Sequence, residues 1–155
     1  MSNFYNRDLP YGEDGELIVL NRIKLKHPKA YKIKGNHPEF DIMIPETNKT
    51  VEVKRDAQTH KTGNIFIETK CNGVDSGLNI TTADHWIYMI QDKIYLIKPS
   101  AIRLCVAENK ITEGKNFRIQ GKLVDAYLIS IDIFKKYCIK IDTLTEEQLC
   151  QRRKK

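Results

Sequence analysis

Asp41, Glu52 and Lys54 are residues whose types and spacing could act together on one phosphate. They fall in a short stretch, Phe40 to Asp56, that reads FDIMIPETNKTVEVKRD. Two nearby carboxylates repel each other unless a cation lies between them. A hard divalent ion such as Mg2+ takes oxygen ligands, is usually held by one or two carboxylates, and fills its remaining positions with water and phosphate. A protonated lysine cannot ligate that ion. It can orient or deprotonate a water, or stabilise a negatively charged phosphate. The set therefore suits metal-assisted phosphodiester hydrolysis. The same residues are also compatible with a polar hairpin whose Glu-Lys face is merely solvated.

The surrounding pattern says how these side chains would be positioned. Phe40 to Ile44 is an apolar run interrupted by Asp41, and Pro45 to Thr50 is rich in turn formers. Val51 to Asp56 alternates, with Val51 and Val53 on one face and Glu52, Lys54 and Asp56 on the other. Two neighbouring strands would bring Asp41 to the Glu52–Lys54 face.

Asp41 followed by Glu52-Val53-Lys54 resembles the signature of the PD-(D/E)XK nuclease superfamily, whose fold is the restriction-endonuclease-like one. In that family the first acid follows a proline; here Glu39-Phe40 precede Asp41, and Pro38 lies three positions before it. The family also carries a Glu on a preceding helix, a role that Glu16 matches, with Glu13 an alternative. Gly63 to Glu68, Ser76-Gly77 and Thr81 to Asp84 resemble the small phage-type nucleases of this superfamily.

The resemblance implies an α/β (α+β) domain with a central mixed sheet flanked by helices. It implies a Mg2+-dependent DNA endonuclease, with Mn2+ able to substitute. Asp41 and Glu52 would ligate the metal with the Val53 carbonyl as a third ligand, Lys54 would position the attacking water, and Glu16 would complete the cluster. A narrower form of the same expectation is a resolvase of branched DNA such as the Holliday junction, working as a homodimer. From other classes come a non-catalytic DNA-binding module and a structural or inhibitory protein.

Composition sets wider bounds. At 155 residues the chain is read as one domain spanning 1–155. Its 41% hydrophobic and 30% charged content is that of a globular protein. A net charge of +6 favours an anionic partner, DNA above all. The start of the chain lacks the apolar core of a signal peptide, and no apolar run reaches bilayer length. The four cysteines are widely spaced without a C-x-x-C pair, which argues against a zinc site or a disulfide framework. The expected location is cytoplasmic, with no membrane partner, in a host cell if the chain is phage-encoded.

In chain order, Phe4 and Tyr5 are expected to pack loosely on the domain, and Gly12 to Lys26 reads as a helix ended by Pro28. Arg22, Lys24, Lys26, Lys29, Lys32 and Lys34 make a basic stretch, readable as a solvated edge or as a phosphate-contacting flank. Ala57 to Gly63 reads as a polar loop in which Asp56, His60 and Lys61 could touch substrate. Asn64 to Thr69 reads as a strand, with Glu68 a candidate supporting acid, and Lys70 to Leu78 as a loop. The expected DNA contacts are Lys34, His60, Lys61, Asn64 and Ser76.

Thr81 or Thr82 is expected to cap a helical turn at Ala83-Asp84. A hairpin of His85 to Ile90 with Lys93 to Ile97 follows, then a helix from Pro99 to about Glu108. A strand from Leu123 to Ile131 and a short helix from Asp132 come next. The last helix is expected to start at Thr143 or Thr145, with Thr143 and Glu146 at capping-box spacing. The basic end, Gln151 to Lys155, reads as a fraying tail or a DNA contact.

Overall fold

The computed structural model describes residues 11–33, 40–56 and 58–150. Lys34, the Phe4–Tyr5 pair and the basic tail, expected above to pack or to bind, lie outside them.

Helix α1, Tyr11–Lys24, turns the apolar side chains of Ile18, Val19 and Leu20 inward and places Arg22 and Lys24 in its last turn, where cations suit the helix dipole. A short strand β1, Tyr31–Lys32, follows. Strands β2, Ile42–Ile44, and β3, Lys49–Arg55, form the expected antiparallel hairpin with Ile42 opposite Val51. Asn48 supplies the turn's left-handed residue at φ 55°, a conformation asparagine tolerates better than most. Asp41 lies just before β2 rather than inside it.

Strand β3 pairs on its other edge with β6, His85–Ile90, in parallel, and β6 pairs with β7, Lys93–Ile97, in the expected hairpin. Strand β10, Lys140–Thr143, closes the row on β7. The result is a mixed six-stranded sheet in the order β1-β2-β3-β6-β7-β10.

A second, antiparallel sheet has the order β5-β4-β9-β8 and was not foreseen. It comprises β4, Asn64–Cys71; β5, Val74–Asp75; β8, Gly114–Ile119; and β9, Lys122–Ser130. The predicted loop from Lys70 to Leu78 instead contains the end of β4, then β5, then a 3-10 turn over Gly77–Asn79. Its pattern is polar because these strands are short and half-exposed. The predicted loop before Gly63 holds a short helix α2, Thr59–Thr62. Helix α3, Pro99–Glu108, and helix α4, Ile131–Lys135, complete this side.

The six-stranded sheet carries a core on each face, so the architecture is α+β with a central mixed sheet and flanking helices. On one face Val51, Val53, Ile87 and Met89 pack with Ile18, Val19 and Leu20 of α1. On the other, Trp86, Tyr88, Tyr95 and Ile97 pack with Ile65, Ile67 and Ile129 of the second sheet and with Ile102 and Phe134 of the helices. This explains why β6, His85–Ile90, is apolar nearly throughout: alternate residues enter two different cores.

Two capping expectations need correction. Ala83-Asp84 form no helical turn for Thr81 or Thr82 to cap; the Thr81 hydroxyl accepts the Ala83 N–H at 3.2 Å, while Asp84 turns back onto Thr50. Helix α5, Glu146–Leu149, is capped by Thr145 in a reciprocal box with Gln148, not by Thr143 with Glu146, because Thr143 is still paired in β10. Among the described residues no helix is long and apolar enough to cross a membrane, and the four cysteines are free thiols.

Candidate active site

The site is built where β2 stops and β3 continues. The Asp41 N–H donates to the Val51 carbonyl at 2.9 Å, one step beyond the last strand pair. Its carboxylate Oδ2 then accepts the Val53 N–H at 2.7 Å. An acid side chain has taken the place of the next backbone acceptor. The N–H and C=O of one strand residue point to the same edge. The Val53 carbonyl is therefore directed to the side where Asp41 sits.

Glu52 and Lys54 project from the opposite face to Val51 and Val53, toward Trp86 and Tyr88. Glu52 is 5% exposed. Lys54 Nζ lies 2.8 Å from Glu52 Oε2 and 5.4 Å from the centre of the Trp86 ring, within cation–π range. The other oxygen of Glu52 accepts the Thr81 hydroxyl at 3.3 Å. Thr81 in turn accepts the indole N–H of Trp86 at 3.0 Å. A buried carboxylate is thus held at both oxygens, which offsets the cost of desolvating it.

The charges in this pocket feel one another. Burial lifts the Asp41 carboxyl above its ordinary range; the Val53 N–H opposes this, and the charge of Glu52 adds to the rise. Lys54 loses proton affinity to burial, but the Glu52 charge and hydrogen bond, with Glu68 and Asp41 behind them, more than restore it. Lys54 is therefore an ammonium at neutral pH. Tyr88 lies among the same acids, and its hydroxyl is pushed far up by burial and by Asp56, Glu52 and Glu68.

The other expected residues take varied places. Glu68, on β4, accepts the Ser76 hydroxyl at 2.6 Å, so Ser76 supports an acid near Lys54. Gly77, at φ 51°, brings the 3-10 turn so close that a Cβ would lie 2.3 Å from the Glu68 carbonyl oxygen. Glu16 on α1 is ion-paired to Lys32 at 3.1 Å, and Lys32 also acts on the Asp41 charge. The helical acid is thus joined to the cluster through a lysine.

His60 and Lys61 are exposed on α2. Asn64 begins β4, and its carbonyl accepts the Thr59 hydroxyl at 3.0 Å. Asp56, expected as a substrate contact, instead accepts the N–H groups of Gln58 and Thr59 and the Thr59 hydroxyl. It is the start of α2 that consumes its carboxylate.

Comparison with protein-family models, curated proteins and solved structures finds no match to this chain. The site must therefore be read from its own chemistry. Sequence reasoning placed Lys32 in a basic run and missed its link between Glu16 and Asp41. It also missed the Thr81–Trp86 pair that holds Glu52. For that pair the available signal was an indole destined for the core, which needs an acceptor.

Proposed function

We propose that this protein is a metal-dependent deoxyribonuclease, an endonuclease whose centre is Asp41, Glu52 and Lys54, as the resemblance to PD-(D/E)XK nucleases implies. The observation that carries the reading is geometric: the Asp41 carboxylate sits on the amide of Val53, the residue between Glu52 and Lys54, which are themselves paired at 2.8 Å. Burial chiefly, with the Glu52 charge adding to it, raises the Asp41 proton affinity. Such mutual repulsion is what a bound cation would relieve.

The residues present fit Mg2+. Two carboxylates and a directed carbonyl supply oxygen ligands, which is as much protein ligation as Mg2+ usually takes. Among the described residues no group of three or more His, Cys, Asp and Glu side chains is clustered for a metal. Water and phosphate would fill the remaining positions, as is usual for Mg2+. Asp41, Glu52 and the Val53 carbonyl would hold the ion, which when bound lowers the pKa of a coordinated water and polarises the phosphate.

The chain's own part follows from its charges. Lys54 stays protonated, so it serves as a donor and a fixed positive charge rather than as a general base. One of its three N–H donors goes to Glu52; the others can reach a non-bridging phosphate oxygen or hold a water for attack. The Thr81 hydroxyl keeps Glu52 in its rotamer. His60 and Lys61, exposed beside this region, are candidates for phosphate contacts that position DNA without reading its sequence.

The test is incubation of purified protein with supercoiled, linear, single-stranded and four-way-junction DNA, with Mg2+, Mn2+ or EDTA. Cleavage that needs the metal and disappears in Glu52→Gln and Lys54→Ala, with DNA binding kept, supports the reading. Cleavage indifferent to EDTA, or undiminished in both variants, refutes it. Selective cutting of the junction would narrow the activity to a resolvase.

A further inference from the structure

Helix α1 covers only part of its face of the six-stranded sheet. Beyond its C-terminal turn the described residues leave the sheet open, and a cleft of about 700 Å3 remains among them, within the size range of ligand sites. Its floor is branched aliphatic: Ile44, Val51, Ile87, Ile94 and Leu96, from β2, β3, β6 and β7. Leu25, 71% exposed, stands at its edge. Its rim is basic, with Arg22 from the end of α1, Lys26 just beyond it, Lys49 from the start of β3 and Lys140 from β10; His85 of β6 also lines it, its imidazole held below its usual pKa by burial.

The acid among the described lining residues, Asp142, is already shared by Arg22 at 3.3 Å and Lys140 at 3.4 Å. Lys26 and Lys49 make no ion pair among the described residues. The cleft thus offers an apolar seat inside an excess of positive charge. Val51 sits in its floor, whereas Glu52 and Lys54 project from the other side of the same strand.

We propose that this cleft binds an acidic peptide segment of a partner protein, with a bulky aliphatic side chain on the floor and carboxylates against the rim. Three features select that occupant. The cations Arg22, Lys26, Lys49 and Lys140 come from three separate elements around the mouth, the end of α1, β3 and β10, so they match several negative charges spread along a chain rather than the single head group of an acyl anion. None of the described lining residues is Phe, Tyr or Trp, and the floor is aliphatic, which suits a branched aliphatic side chain better than a nucleobase. The opening is on the face of the sheet away from Lys54, so a tethered partner and a substrate at the candidate active site would not compete.

The experiment is fluorescence anisotropy with a labelled peptide of four aspartates followed by two leucines, measured on the full chain. Saturable binding is expected, weakened about tenfold or more in the surface variant Lys26→Glu/Lys49→Glu, as loss of rim charge complementarity implies. Serines in place of the leucines should abolish it, and methyl NMR shifts should centre on Ile44, Ile87 and Ile94. Circular dichroism of the variant checks that it folds. No saturable binding, binding unchanged in the variant, or displacement of the peptide by dodecanoate or by a single-stranded oligonucleotide would each overturn the proposal. DNA cleavage is not read, so the outcome is independent of the nuclease assignment.

Discussion

The Asp41 carboxylate accepts the Val53 N–H at 2.7 Å, so one side chain both continues a β-ladder and brings negative charge to the candidate site. The two roles separate by mutation. Asp41→Asn keeps an oxygen acceptor and removes a charge whose burial is unfavourable. It should melt no lower than the parent at neutral pH, yet lose Mg2+ binding by calorimetry. Asp41→Ala leaves the Val53 N–H without its acceptor and should cost about 1–3 kcal/mol in urea unfolding. Equal stability of the Ala variant would show that the bond contributes nothing.

Thr81 joins Glu52 to the Trp86 indole. Thr81→Val keeps the shape and removes the hydroxyl, leaving a buried indole N–H and one Glu52 oxygen without this partner. A loss of about 1–3 kcal/mol is expected, together with a changed Trp86 fluorescence maximum. Thr81→Ser should restore both, and failure of serine to do so would mean that the methyl group is what matters.

Gly77 holds φ at 51° against the Glu68 backbone. Gly77→Ala meets both the left-handed strain and a clash with a carbonyl that cannot swing aside, so destabilisation above about 1 kcal/mol is expected. The Ser76–Glu68 bond should be lost with it, visible as a shifted Glu68 carboxyl resonance. A variant as stable as the parent would contradict this packing.

Acid should act on Asp41 and Asp84 in opposite senses. The Thr50 N–H above all holds the Asp84 carboxyl below its ordinary range; burial opposes it, and the Thr50 hydroxyl adds to the lowering. Its contribution is full above the unfolded-state pKa of ~3.9 and is lost as pH falls through the lower folded value. Asp84→Asn should therefore flatten the acid limb of a stability–pH curve. Asp41 is raised, so its penalty is present at neutral pH and is relieved as pH drops through its folded value. Chemical denaturation between pH 2 and 7 reads both, and an unchanged acid limb in Asp84→Asn would disprove the first.

Much of the frame was legible in the residues. The apolar stripe of α1, the β2–β3 hairpin with Glu52 and Lys54 on one face, the His85–Ile97 hairpin and the Pro99 helix all follow from local periodicity and turn chemistry, which act within a few residues. Two strands of the second sheet, β4 and β9, were legible as strands, but their pairing was not. β5 is short, β8 is largely polar, and β4 pairs with β9 across a long separation, from Ile65 to Ile129. Local pattern carries no register for such a pairing.

What the sequence determined by itself is which face of β3 bears the charges, because side-chain alternation along a strand is a local rule. Only the tertiary structure decided what those charges meet: Asp41 on the Val53 amide, Thr81 and Trp86 around Glu52, Lys32 between Glu16 and Asp41. Those partners come from separate elements, and no spacing in the chain specifies which of them the packing of two sheets and a helix will bring together.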